Sequence, residues 1–190
     1  MSSVAIQGNA SGAGVFTIAS PNSASSYTAT LPAKTGTLGM DGPAFSAYFN
    51  GSTQSISAST WTKVTMNAED FDTNTNYDPT TNYRFTPTVA GYYQITSVVY
   101  WENGTATQSG LSLAIYKNGS IYRGVRNLVQ ASGGGSATIS LPMLFNGSTD
   151  YVEVYVWSGQ AGTVFGSTNT TGGGANSNNA LFNGCLIRGT

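Results

Sequence analysis

The sequence predicts an all-β fold, an antiparallel sandwich, on three observations. Apolar residues recur with period two rather than 3.6. Gly, Asn, Thr and Ser interrupt every window before a second helical turn could form. Asn-Gly pairs, which accept positive φ at low cost and close tight hairpins, stand at Asn50-Gly51, Asn103-Gly104, Asn118-Gly119, Asn146-Gly147 and Asn183-Gly184. With 190 residues the chain has room for one ordinary domain and a short extension. A domain of about 150 residues buries roughly 70% of the surface its unfolded chain exposes, enough for a core of its own.

Strands are expected near 44–50, 60–66, 83–87, 91–101, 110–117, 121–126, 136–145, 150–157 and 180–188. Along 91–101, Tyr93, Ile95, Ser97, Val99 and Trp101 share a face suited to a core, while Tyr92, Gln94, Thr96, Val98 and Tyr100 share the other. Asn118-Gly119, flanked directly by LSLAIYK and SIYRGVR, predicts a two-residue type I′ hairpin. Pro142 within 136–145 predicts an edge position or a bulge, because it cannot donate to a ladder. Along 150–157, Val152, Val154 and Val156 point inward and Tyr151, Glu153, Tyr155 and Trp157 outward. Asn183-Gly184 falls inside the last strand and predicts a bulge there. Cys185, in the run LFNGCLI, is expected to be a small buried hydrophobe.

Residues 1–42 read differently from 43–190. GVFTIASPNSASSYTATLPAKTGTLG holds two short β-like runs joined by a Ser/Asn/Pro turn, with too little apolar content for a separate core. It is expected to serve as an attachment segment. Residues 166–180, GSTNTTGGGANSNNA, are small and polar and cannot bury apolar area to offset their ordering entropy. They are expected to form a surface loop, with Asn169, Asn176 and Asn178 as its adaptable hydrogen-bonding groups.

Composition excludes several function classes. Charged residues make up 8% of the chain, seven basic and eight acidic, against about 25% in an average globular protein. The few charges are scattered, so no basic stripe exists to neutralise phosphates, and no nucleic-acid partner is expected. No run approaches the roughly 20 apolar residues of a membrane span, so no membrane partner is expected either. The opening MSSVAIQGNASGAG lacks the basic and apolar regions of a secretory signal, and synthesis in a cytoplasm is expected.

Histidine is absent and cysteine single, so the triads and dyads of acyl transfer lack a base and zinc lacks ligands. Glycoside hydrolysis needs only two carboxylates and survives this test, but no enzyme is expected. Glu69, Asp70, Asp72 and Asp78 crowd into one loop, EDFDTNTNYD, dense in the oxygens that Ca²⁺ prefers. Asp72, Asn74 and Asn76 imitate the start of an EF-hand loop, yet Tyr77 and Tyr83 stand where its Gly and Glu belong. Asp70, Asp72 and Asp78 are the candidate Ca²⁺ ligands; the favoured reading makes them turn caps, with no cofactor.

Pro43-Ala-Phe-Ser-Ala47 opens the first strand, followed by Trp61, Val64 and Asn67 at aromatic–x–x–Val–x–x–Asn spacing. Tyr77-Asp78 precedes Phe85-Thr86-Pro87, and Gly91, Tyr93 and Ile95 open the long strand. Leu113, Ile115, Lys117 and Asn118-Gly119 follow, then Asp150 to Val156, then Phe182, Gly184 and Leu186. This series resembles the globular head of complement component 1, subcomponent q, and the wider tumour necrosis factor-like superfamily, over residues 42–188. The chain departs from it at Asn146 to Asp150 and in the Gly/Asn loop of 166–180. The phrase from Thr30 to Leu38, TLPAKTGTL, resembles a segment of phage tail-fibre and other virion appendage proteins.

The resemblance implies a jelly roll that trimerises and catalyses nothing. Tyr92, Val98, Tyr100, Tyr151, Tyr155 and Trp157, aromatic and apolar groups on nominally wet faces, are then the expected trimer interface. It implies a bacteriophage virion protein, made in the host cytoplasm, that joins other virion proteins through its N-terminal segment. A fibre or appendage knob would engage a host-surface glycan or protein, through Tyr122, Arg123 and Arg126 together with the 166–180 loop. A capsid decoration or head-fibre protein of purely structural role is the alternative. A cellular cytokine-like ligand is a further one, though no signal or collagen-like repeat is seen.

Overall fold

The computed structural model describes residues 11–12, 15, 17, 24–26, 42–102, 109–129, 134–167 and 180–190. The expected β-like runs of the first 42 residues, and Asn169, Asn176 and Asn178, lie outside the described residues. The chain divides into two compact units, Met1–Thr37 and Leu38–Thr190. The described strands of the second unit are β1 (Ala44–Tyr48), β2 (Thr53–Ile56), β3 (Thr62–Lys63), β4 (Ala68–Asp72), β5 (Tyr77–Asp78), β6 (Arg84–Phe85) and β7 (Gly91–Glu102). They continue with β8 (Ser109–Lys117), β9 (Ser120–Val129), β10 (Gly134–Phe145), β11 (Val152–Ser158), β12 (Gly162–Phe165) and β13 (Ala180–Gly189).

Two antiparallel sheets result. A front sheet runs β2-β12-β7-β13-β1-β4, with β10 on the free side of β7; a back sheet runs β5-β6-β11-β8-β9, with β3 also on β11. Each expected run contains a strand, cut to two residues at β3 and β6. β2, β4, β5 and β12 lie outside those runs. The acidic AEDFD of β4 pairs with β1 at the margin of the front sheet, where its carboxylates reach water while its backbone completes the ladder.

Period two places the core. Tyr93, Ile95, Ser97, Val99 and Trp101 of β7 are all buried, as are Val152, Val154 and Val156 of β11. Between the sheets Phe45 stacks on Phe85 at 4.2 Å between ring centroids and meets Phe182 edge-on at 4.9 Å. Burying one such ring contributes about 1.5–3 kcal/mol. Two of the polar groups carried inward are satisfied, Ser97 Oγ donating to Leu181 O (2.8 Å) and Tyr77 Oη to Met66 O (2.8 Å), whereas Trp101 Nε1 is buried without a hydrogen-bond partner. Burial accordingly drives the Tyr77 phenol far above its ordinary pKa and pushes that of Tyr93 up to about 12.

Three local expectations have definite outcomes. Asn118 (φ 53°) and Gly119 (φ 79°) form the two-residue turn between β8 and β9. Pro142 lies on an edge strand, opposite Gln94, since β10 pairs with β7 alone. The end of β13 needs correction. Gly184 is no bulge: it faces inward because a Cβ there would lie 2.7 Å from Ile95 Cδ1 and 3.0 Å from the Phe45 ring. The alternation then turns Cys185 outward, exposed rather than buried, and the register shift comes between Leu186 and Arg188.

Candidate functional site

The two sheets bury their inner faces against each other and present two unlike outer faces. On the front sheet one row runs Phe71–Ser46–Asn183–Thr96–Ser140 across β4, β1, β13, β7 and β10. Its centre is hydroxyl and amide: Gln94 Nε2 donates to Ser140 Oγ (2.9 Å), and Thr96 and Ser140 share a hydrogen bond of 2.7 Å. A second row brings Tyr48, Leu181 and Val98 together, and at the far end Tyr92 stands opposite Leu144. Tyr92 is 45% exposed, Leu144 47% and Phe71 51%. Tyr100 is partly spoken for within the chain, stacking on Phe165 at 5.6 Å and donating to Glu102 Oε1 (3.0 Å). Burial, followed by that bond to Glu102, raises its pKa.

The back sheet carries rings and cations. Arg84 of β6 stands opposite Glu153 of β11, which stands opposite Tyr116 of β8. One register step along, Lys63, Tyr155, Ala114 and Gly124 form a second row, and Trp157, Ser112 and Arg126 a third. Small residues in β8 and β9 let large side chains lie flat over the sheet: Tyr155 stacks on Tyr116 at 4.0 Å, and Trp61 meets Tyr116 edge-on at 5.9 Å. Burial, then the charge of Glu153, pushes the Tyr155 phenol up against the opposing pull of Lys63.

Each outward ring of the β11 segment carries a cation. Arg84 lies 4.4 Å from the centroid of Tyr151, Lys63 5.7 Å from Tyr155, and Arg126 6.0 Å from Trp157. Lys63 Nζ also donates to Glu153 Oε1 (2.6 Å) and Asn82 O (3.1 Å), which neutralises the buried Glu153 carboxylate; Asp78 stands on the same face, opposite Arg84.

These positions divide the expected trimer interface between the two outer faces. Tyr92, Val98 and Tyr100 lie on the front sheet, but Tyr151, Tyr155 and Trp157 lie on the back one. The two sets lie on opposite outer faces, and the β11 rings are covered in part by rings and cations of their own chain. The expected recognition cluster also divides. Arg123 is in register with inward-facing Ile115, whereas Arg126 is in register with outward-facing Ser112. They project from opposite faces of an edge strand. Tyr122 packs on the core, and Arg123 folds back over its ring at 4.9 Å, donating to Tyr122 O (2.7 Å).

Ser167 and Ala180, which flank the undescribed loop, both bond to Phe49, Ser167 N to its carbonyl and its N–H to Ala180 O. The Asn118-Gly119 turn, beside which Tyr122 and Arg123 lie, is at the opposite end of the sandwich. There Lys117 Nζ donates to Leu144 O (2.7 Å) and Thr190 N to Ala90 O (3.3 Å).

The acidic residues do not converge. Asp70 accepts from Ser46 Oγ, Asp72 from the N–H groups of Asn74 and Tyr77, and Asp78 from Thr80, Thr81 and Asn82. Among the described residues no three of Asp, Glu, Cys or His come close enough to share an ion. The backbone donors of Thr81 and Thr80 hold the Asp78 carboxyl far below its usual range. Glu69 moves the other way, raised by burial and then by the charges of Asp72 and Asp78. Burial also lifts Asp150, but bonds from Asn118, Lys117 and the Asn146 N–H outweigh it and leave its pKa lowered.

Period two alone could have found part of this arrangement. Trp61 shares its parity with Lys63, and Tyr116 is out of phase with core residues Leu113 and Ile115, so all three belong outside. Which sheet each strand joins is fixed by long-range pairing, for which no local signal exists.

No known family profile matches the chain, and no curated protein does. Among solved structures it is similar to the globular domain of zebrafish complement 1qA, with TM-score 0.55 and 20% identity over 78% of this chain and 99% of that one. Murine APRIL gives TM-score 0.54 and 10% identity over 77% and 99%. Eiger TNF from S. frugiperda gives TM-score 0.53 and 7% identity over 80% and 96%. At such identities the likeness is one of fold. The chain folds as a jelly roll of the complement-head and tumour-necrosis-factor kind.

Proposed function

We propose that the chain is a non-enzymatic, homotrimeric head of a bacteriophage virion appendage. It attaches through its first 42 residues to other virion proteins and offers the back sheet to a host surface. The observation that carries this reading is the asymmetry of the two outer faces. The front one is uncharged at its centre and leaves Tyr92, Leu144 and Phe71 about half exposed. Contact with further copies would dry these groups at about 25 cal/mol per Å² of apolar area, with no charge to desolvate in the middle.

The number three comes from the resemblance to trimeric heads, and the virion setting from the Thr30–Leu38 phrase. The absence of histidine and the engagement of Asp70, Asp72 and Asp78 in their own turns favour binding over catalysis. Light scattering on the purified protein is expected to give near three times 19.7 kDa. A folded monomer at high concentration would overturn the proposal. Antibody labelling of particles then separates an appendage tip from a capsid decoration.

A further inference from the structure

We infer that the outward face of the back sheet binds an acidic polysaccharide, a chain of sugars bearing carboxylates such as uronates. Trp157, Tyr155 and Tyr151 would supply the stacking faces, and Arg126 and Arg84 the carboxylate ligands. The inference rests on the reading of the chain as a recognition head and gives that reading a place and a ligand class.

The charge distribution comes first. The chain as a whole is nearly neutral, at −1, yet this face gathers Arg84, Lys63 and Arg126 against two carboxylates, Glu153 and Asp78, and Asp78 is taken up by the N–H groups of Thr80, Thr81 and Asn82. Glu153 is 5% exposed and already held by Lys63 at 2.6 Å. The ion pairs among the described residues are Lys63–Glu153 and Lys117–Asp150, so Arg84 and Arg126 belong to neither. Each guanidinium lies over a ring, at 4.4 Å for Arg84 on Tyr151 and 6.0 Å for Arg126 on Trp157. A planar fork of this kind suits a carboxylate approached side-on.

The rings set the shape of the ligand. Tyr155 and Trp157 are alternate residues of one strand, so their side chains leave the sheet about 7 Å apart on the same face. Both are half-buried: Tyr155 rests on Tyr116 at 4.0 Å, and part of each ring remains exposed. Such a row offers successive apolar faces to the C–H faces of successive sugar rings, and the cations at either end then meet acidic substituents.

Two competing ligands fit less well. A polynucleotide needs cations spaced to neutralise successive phosphates. Here the free guanidiniums stand at opposite ends of a face whose middle is the neutral Lys63–Glu153 pair. A peptide added as a strand would use the open edge of β9 and its backbone, whereas these rings and cations stand on the face.

Affinity electrophoresis of the full-length protein through gels cast with alginate, a uronate polymer, tests this. Dextran serves as the neutral polymer, and polyglutamate and poly(U) as soluble competitors. Retardation is expected in alginate and not in dextran, weakened by salt. Arg126→Ala and Trp157→Ala should each reduce affinity at least tenfold, with Arg126→Lys intermediate and the front-face variant Ser140→Ala unchanged. Circular dichroism melting checks that each variant is folded; Arg126 is exposed, so its variants remain informative if Trp157→Ala unfolds. Alginate binding that survives both substitutions would overturn the assigned site and leave the recognition reading standing. Binding of neither polymer would overturn the inference together with glycan recognition. Equal retardation in dextran, or full displacement by polyglutamate or poly(U), would overturn the acidic-sugar assignment.

Discussion

The outer faces of the two sheets come from the same alternation and have opposite characters. In the front sheet, outward positions of β7 and β10 are Thr, Ser, Gln and Val, flanked by Tyr92 and Leu144, and the hydroxyls bond to one another across strands. In the back sheet, outward positions of β11 are Tyr, Glu and Trp, and cations from β3, β6 and β9 reach over them. A face with an uncharged centre and half-exposed apolar groups can be covered by another copy cheaply. A face on which rings and guanidiniums are already organised is pre-ordered for a ligand, so less side-chain entropy is lost on binding.

The largest effect expected from breaking this contrast follows Val98→Glu. A carboxylate brought into the middle of the front face would repeat at each copy around the axis, and the assembly should fall to monomers with its circular dichroism spectrum unchanged. Trp157→Ala on the back face should leave the mass as it is. Analytical ultracentrifugation of both variants reads the difference.

A smaller effect is expected on stability. Lys63→Met leaves the Glu153 carboxylate buried without its cation, which should cost roughly 3 kcal/mol. Adding Glu153→Gln should recover most of it. Urea midpoints of the single and double variants check this, and a merely additive loss would mean that the pair does not hold β3 to β11.

The smallest effects are pH-dependent and opposite in sign on the two sheets. Asp78, at the back-sheet margin, has a lowered folded pKa, so its contribution is present above the unfolded value near ~3.9 and lost as pH falls through the folded one. Glu69, at the front-sheet margin, has a raised folded pKa, so its contribution is present below the unfolded value near ~4.3 and lost as pH rises through the folded one. Asp78→Asn should therefore be less stable than the parent at pH 7, with the gap closing in acid. Glu69→Gln should be more stable at pH 7 and equal to it near pH 3. Melting temperatures across that range measure both.

Much of the sandwich was legible because half-buried strands write their phase into the chain. GYYQITSVVYW states which residues of β7 are inside, and Pro142 states that β10 is an edge. Cys185 was misplaced because Gly184 occupies the core phase without looking like a core residue; only the Phe45 ring and Ile95 above it explain the glycine. β4 hid behind its acids, which are tolerated because its partner is β1 alone. The candidate sites were divided for a different reason. Arg123 and Arg126 are three apart, an odd spacing that puts them on opposite faces of a strand, and the alternation already contained that fact. That the β11 aromatics turn away from Tyr92 was not in the alternation, because the partners β8, β6 and β3 come from elsewhere in the chain.

Hydroxyl-radical footprinting of the native assembly, read by mass spectrometry, tests the division of labour between the faces most directly. The account predicts that Tyr92 and Leu144 are protected relative to the dissociated Val98→Glu variant, while Tyr155 and Trp157 react equally in both. Protection of Tyr155 and Trp157 with Tyr92 and Leu144 left reactive would contradict it.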